Sequence, residues 1–463
     1  MNRRSFLRAG ALAGLTAPAL SANAQPACDQ RGTGDLGLIV ERATGSALIV
    51  DASKRRTLAR VEGLGDLSHA TAVFGPSERY AYVFGRDGGL TKIDMLTARI
   101  DKRVIQAGNA IGGAISDDGA LIVASNYTPG GIKVFDADDL TELASVPAIG
   151  ANGKPSKTVG LVDLPGRRFA YALYDANEIW IADFSAGMTP TLTKFTGVGA
   201  LPYDANVTSD ARHYLAGLFG EDGIAHIDLW ADEPKVSRVI SGYNEGRAKL
   251  PIYKMPHLEG WAQSGSTLVM PAAGQHEVLL LDLDAMKEVG RIAVHSQPVF
   301  CVARPDGREV WINFAHPDND TVQVLDVYKR KIVHELKPGP AVLHLEFTPR
   351  GHEVWISVRD ADRIDIYDVR TRAKKAELPK LIAFQRSFHR LIDMRGTSRP
   401  NGNKRSTVTS AREVFSVWVL ISQRSFTCDC EARGRVGRKR CRRNLVSTYR
   451  NVLTGIFRGS CWL

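Results

Sequence analysis

DLSHATAVFGPSERYAYVFGRDGGLTKID, residues 66–94, decides the fold. An apolar run ending at Phe74 meets a Gly-Pro-Ser-Glu turn, and an alternating run through Tyr80, Tyr82 and Phe84 follows. After an Arg-Asp-Gly-Gly turn, a third run closes on Asp94. Alternation with period two between turn residues is the pattern of strands joined by hairpins. Three such strands make most of a four-stranded antiparallel blade.

The closing pattern, an apolar run ending in Asp, returns at Asp51, Asp94, Asp136, Asp183, Asp228, Asp282, Asp326 and Asp368. Eight copies at spacings of roughly 42 to 54 residues suit propeller blades and exceed the shorter helical repeats. No stretch of residues 32–379 sustains a 3.6-residue period, so the class is all-β. Radial packing leaves only short outer edges exposed, and the expected fold is an eight-bladed β-propeller over residues 34–380. Inner strands are expected at residues 69–74, 112–116, 158–162, 204–207, 257–262, 299–303 and 344–347. The first copy lacks one, because residues 35–41 already read as a second strand. The chain after Pro379 is expected to supply it, with residues 381–384 the nearest candidate.

The 463 residues carry a net charge of +10, which resembles a nucleic-acid signal until it is located. Residues 381–463 hold about 17 Lys and Arg against about 4 acids, leaving the body near −3. That tail reads either as a basic interaction segment or, as its uneven composition favours, as the product of a frame change near Lys380. At the other end, Asn2-Arg3-Arg4-Ser5-Phe6-Leu7-Arg8 precedes an Ala- and Gly-rich stretch and Ala22-Asn23-Ala24. This is the pattern of a twin-arginine export signal (residues 1–24), followed by a linker (25–33). The expected location is the periplasm, where nucleic acid is a poor partner. The apolar run is too short for a membrane span and no later segment is long enough. Gln25-Pro26-Ala27 makes a poor lipobox, so Cys28 is not expected to carry a lipid anchor. Cys28 and Cys301 lie in the body and four more cysteines in the tail, which implies no disulfide framework and matches no zinc spacing.

In a propeller, chemistry concentrates where inner strands begin and in the loops that feed them. His69, His257 and His344 each open an inner-strand run and are expected at equivalent phases around one channel mouth. Taken singly, each reads better as a hydrogen-bonded loop or core residue. No H-x-x-x-H pair, nucleophile elbow, phosphate loop, dinucleotide fingerprint or C-x-x-C-H is present.

Residues 68–95, SHATAVFGPSERYAYVFGRDGGLTKIDM, are similar to the proximal haem-ligand blade of the haem d1 propeller in cytochrome cd1 nitrite reductase. With SKTVGLVDLPGRRFAYALYD (156–175) and LPYDANVTSDARHYLAGLFG (201–220), the body from about residue 34 to 379 most resembles the NirF-type haem d1 biosynthesis proteins. The resemblance implies His69 as the axial iron ligand. It also implies Arg86 as the guanidinium that pairs with the macrocycle's carboxylates, a task suited to a bidentate fork. Where the nitrite reductase has two distal histidines, this chain places the Asp163-Leu164-Pro165 turn and Tyr203-Asp204, and no cytochrome c domain precedes the propeller. Nitrite reduction is therefore not expected. Asp163, Tyr203 and Asp204 become the candidates for proton transfer at the ring's edge, with turn-capping and wall-forming roles the alternatives. His257 and His344 are further candidates for holding the cofactor.

What the resemblance implies is a periplasmic protein that binds haem d1 or its dihydro precursor and modifies it, with side-chain dehydrogenation as the oxidoreductase step. The alternative is a non-catalytic carrier that delivers haem d1. The implied partners are the tetrapyrrole, cytochrome cd1 nitrite reductase and other haem d1 maturation proteins of denitrification. The reaction step, the electron acceptor and homodimerisation stay open.

Overall fold

The computed structural model describes residues 33–248, 250, 260–272, 274–378 and 417–421. Its strands form eight four-stranded antiparallel sheets, the eight-bladed β-propeller that the repeat implies. Blade 2 runs outward through Thr71–Phe74, Tyr80–Phe84, Gly89–Asp94 and Arg99–Ile105. The inner strands of blades 3 to 8 are Asn109–Ile115, Thr158–Leu164, Pro202–Val207, Ala262–Ser264, Pro298–Ala303 and Val342–Phe347.

Every third strand ends on one of the eight aspartates that mark the repeat. The reason is local: the carboxylate accepts backbone N–H groups two and three residues on, fixing the turn to the outer strand. Asp94 accepts from Leu96 and Thr97 at 2.9 and 3.2 Å, Asp136 from Asp138 and Asp139 at 2.7 and 3.3 Å, and Asp368 from Arg370 and Thr371 at 3.1 and 2.8 Å.

Blade 1 draws on both ends of the chain. Leu36–Glu41, Ser46–Asp51 and Arg56–Val61 supply its second to fourth strands, and Val417–Ile421 pairs antiparallel with the first of these, Gly37 opposite Ile421 and Glu41 opposite Val417. The missing inner strand thus comes from the tail, at residues 417–421. Residues 381–384, the nearer candidate, lie outside the described residues, as do the export signal and Cys28.

Apolar side chains bury between neighbouring blades, where burial of a large side chain contributes about 1.5–3 kcal/mol. One core cluster runs through blades 7, 8, 1 and 2, and Tyr82, Trp311 and Trp355, each the third residue of a second strand, are all buried. The outer strands alternate between exposed and half-buried and are rich in charge, as in Arg99–Ile105 and Lys331–Leu336. Charged outer edges resist sheet-to-sheet pairing. Among the described residues no helix is long and apolar enough to cross a membrane.

Candidate functional site

Antiparallel hairpins bring the start of each inner strand and the turn after each second strand to the same end of the ring. Backbone hydrogen bonds fix the two together. The N–H of Arg86 donates to the Asp66 carbonyl at 2.7 Å, that of Tyr174 to Lys157 at 2.9 Å, that of Phe219 to Leu201 at 2.9 Å and that of Arg359 to Ala341 at 3.0 Å.

At this mouth the Arg86 guanidinium lies over the Tyr127 ring, 4.8 Å from its centroid. The Tyr127 and Tyr203 hydroxyls share a short hydrogen bond. Tyr203 meets Tyr174 edge-on at 5.6 Å and Phe219 at 6.5 Å. Lys157 lies 5.2 Å from the Tyr174 ring and pairs with Asp175 at 2.8 Å. Burial pushes Asp175 up, but the hydrogen bonds from the Lys157 side chain and N–H outweigh it and hold the carboxyl below the usual range. The same hydrogen bond raises Lys157, which stays a cation. Beneath Tyr127, Gln106 and Asn126 exchange two amide hydrogen bonds at 2.8 and 3.1 Å. Backbone contact tightens the wall on the blade 4 side. Gly160, at φ +60, is where a Cβ would stand 2.9 Å from the Tyr203 carbonyl oxygen, so the bulge needs glycine.

His69 is exposed, on the turn just before the inner strand of blade 2. His257 lies outside the described residues. His344 differs from the expectation of equal phase. Ala72 pairs with Val83 and Leu345 with Ile356, each partner the fourth residue of its second strand. In that register His344 corresponds to Thr71, two residues past the His69 position, because the inner strand of blade 8 begins two residues upstream of the histidine. It is fully buried against the Phe300 ring at 5.1 Å, with Glu346 at 3.7 Å.

The three proposed proton-transfer residues are likewise not all brought together. Tyr203 is at the mouth, and the backbone of Asp204 follows it in the inner strand. Asp163 stands three residues beyond Gly160, about 10 Å along the strand, next to the hairpin turn at the opposite end, where it pairs with Phe169. Asp163 lies near the turn that follows the inner strand, where the sequence placed it, but that turn is at the opposite end from Tyr203.

Sequence reasoning missed Tyr127, Tyr174, Phe219 and Lys157. The available signal for Tyr127, Tyr174 and Phe219 was their shared phase with Arg86, and for Lys157 its place just before an inner strand. Away from the mouth, His213 and His226 are buried partners, Nδ1 to Nε2 at 2.9 Å, with Ser237 on the other nitrogen of His226. Burial, reinforced by His213, pushes His226 down to about 4. Cys301 is a free thiol pushed up by complete burial, a packing residue and not a nucleophile. No group of three or more His, Cys, Asp or Glu able to hold a metal ion occurs among the described residues.

An aromatic wall, a guanidinium at its rim and an exposed imidazole on the same blade form a donor set that fits a flat acidic macrocycle with a metal at its centre. The family described as cytochrome D1 heme domain matches residues 31–387. The chain is 55% identical over 358 residues to Protein NirF of Stutzerimonas stutzeri, covering 76% of this chain and 92% of the relative. It is 56% identical over 351 residues to Protein NirF of Pseudomonas aeruginosa, covering 75% and 90%. It is also 27% identical over 354 residues to the dihydro-heme d1 dehydrogenase of Pseudomonas aeruginosa, covering 74% and 69%. The solved dihydro-heme d1 dehydrogenase NirN in complex with DHE shares the fold, with TM-score 0.66, 24% identity, and coverage of 76% of this chain and 74% of that one. A propeller of this phase, matched over most of its length, makes the chain a NirF-type member of the cytochrome D1 heme domain family.

Proposed function

We propose that the protein binds haem d1 or its dihydro precursor at this mouth and acts in haem d1 biosynthesis, for the maturation of cytochrome cd1 nitrite reductase in the periplasm. The observation that carries the reading is the junction of blades 2 to 5. There Arg86, Tyr127, Tyr203 and Tyr174 stand in one continuous contact, offering a charge for a carboxylate and apolar surface for a ring. When bound, the macrocycle would supply the redox and metal chemistry. This chain's share is to orient it, with His69 toward the metal and Arg86 toward a carboxylate, and to present the Tyr127–Tyr203 hydroxyl pair at its edge for proton transfer. The export reading rests on Arg3 and Arg4.

A second reading, stoichiometric carriage without turnover, is favoured by the position of Asp163, which takes one of the two candidate carboxylates away from Tyr203. Purified protein mixed with dihydro-haem d1 and an external two-electron acceptor separates the two. Conversion of the spectrum in excess over protein is expected of the enzyme, and saturable one-to-one binding with no conversion of the carrier. Failure to bind either tetrapyrrole would remove both.

A further inference from the structure

Blade 5 carries a row of polar side chains that the mouth does not use. His213 opens its second strand (His213–Leu218), His226 lies in the third (Gly223–Asp228), and Ser237 lies in the fourth (Val236–Ser241), directly opposite His226. Cross-strand neighbours share one face of a sheet, and here they join. His213 Nδ1 stands 2.9 Å from His226 Nε2, and the other nitrogen of His226, Nδ1, stands 2.9 Å from the Ser237 hydroxyl. His213 and His226 are each 8% exposed, and His213 pairs with Asp228 at the end of the blade away from the mouth. The surroundings favour a cation. Asp228, Asp210 and Asp284 all act on His213 as neighbouring negative charges, while Arg212, the cation beside it, is tied to Asp228 at 2.7 Å.

We propose that His213 Nδ1 and His226 Nε2 form a two-imidazole site for a divalent transition metal, copper(II) before nickel(II) or zinc(II), with water completing the shell. The metal takes the place of the proton that the two rings share, and the rings turn until both lone pairs meet on it. A metal–nitrogen distance of about 2.0–2.1 Å puts two nitrogens about 2.9 Å apart at a right angle and about 3.3 Å apart at the tetrahedral angle. The separation of 2.9 Å between these nitrogens is thus the bite of a square or tetragonal ion. That is the geometry of copper(II) and nickel(II), and copper(II) also heads the affinity order. Ser237 accepts the Nδ1–H of His226 and so keeps the Nε2 lone pair toward the metal, the part that an outer hydrogen-bond partner plays at imidazole ligands. Two protein ligands, and not a closed set of four, make the site exchangeable. It stands apart from the tetrapyrrole reading and does not depend on it.

The test is calorimetric titration of the purified protein with copper(II), nickel(II) and zinc(II) chloride, beside His213→Asn, His226→Gln and Ser237→Ala, together with the electron paramagnetic resonance spectrum of each copper-loaded protein. Wild type is expected to bind one equivalent in the order copper, nickel, zinc, with splitting from two nitrogens in the copper spectrum. Ser237→Ala should keep both nitrogens and bind about tenfold more weakly, the loss typical of removing an outer partner. Each histidine variant should lose more than that, and one nitrogen's splitting with it. Unchanged unfolding temperatures of the metal-free variants report intact folds. A first equivalent that both histidine variants bind as wild type does overturns the site. Should a variant fail to fold, wild type alone decides, and a copper spectrum with fewer than two nitrogens, or no saturable binding, overturns it.

Discussion

His69 and Arg86 belong to one blade and are proposed for different tasks, which substitution should separate. His69 lies exposed where an inner strand begins, and Arg86 rests on an aromatic ring. If His69 holds the metal as proposed, replacing it removes a metal–nitrogen bond while ring burial and carboxylate pairing persist. His69→Ala is therefore expected to change the absorption bands of bound haem d1 more than its affinity, and Arg86→Ala to weaken binding with the bands of the bound fraction nearly unchanged. Titration of both beside wild type checks it, and identical bands for wild type and His69→Ala would take His69 out of the site. Tyr203→Phe keeps the ring contacts with Tyr174 and Phe219 and deletes only the hydroxyl bonded to Tyr127. Binding should survive within about fivefold, as one neutral hydrogen bond is worth about 1 kcal/mol, while any catalysed conversion should slow by about a hundredfold or more if the pair moves the proton. Unchanged turnover in that variant would return Tyr203 to the wall. These residues divide by legibility. The placement of Arg86 and Tyr203 at one mouth was readable because each sits beside a turn or strand start. His344 misled, since an opening histidine and a buried one look alike until the strand's true first residue, Val342, is known.

At the scale of the strand and its turn, the repeated aspartate is both the mark that made the fold legible and a source of stability. Asp228 is held down to about 2, first by the hydrogen bond from Arg212, then by the Trp230 N–H, against a small cost of burial. Asp368 is also held to about 2, first by the backbone and side chain of Thr371. A carboxyl depressed in the folded state stabilises it above the unfolded carboxylate range, and that contribution is lost as pH falls from about 4 toward 2. Asp228→Asn keeps an amide oxygen for the Trp230 N–H but loses the charged pair with Arg212, and should cost at most about 1 kcal/mol at neutral pH. It should also flatten the fall of melting temperature over pH 4 to 2, as thermal unfolding across that range would show. A variant with the wild-type slope would mean that the Arg212 pair contributes nothing net, as exposed pairs often do. Element boundaries followed from these aspartates because a turn is a local object. That Asp163 and Tyr203 stand at opposite ends did not follow, because which strand ends share a mouth is set by the pairings, here Asp163 with Phe169 at the far turn.

For the whole molecule, the phase of the first copy disclosed a missing strand, but not its source. No local pattern says which distant segment will pair with Leu36–Glu41, and Val417–Ile421 does so from within a stretch whose composition argued against structure. A chain truncated after Lys380 should keep blades 2 to 8 and leave the Leu36–Glu41 edge without its partner. Such an edge templates association, so light scattering of the purified truncation should show aggregates and a lower unfolding temperature. Monodisperse, equally stable truncated protein would show that the strand is dispensable. The same pairing also sets an order in time. Seven blades fold from hairpins between consecutive segments, whereas the eighth must join the two ends of the chain. The entropic cost of that closure rises only by about 0.6 kcal/mol for each doubling of the loop, but it must be met before any contact across the seam offsets it, and such distant pairings form slowly. The last blade to form is thus the one that begins the sequence, and until it does the ring stays open between blades 8 and 2.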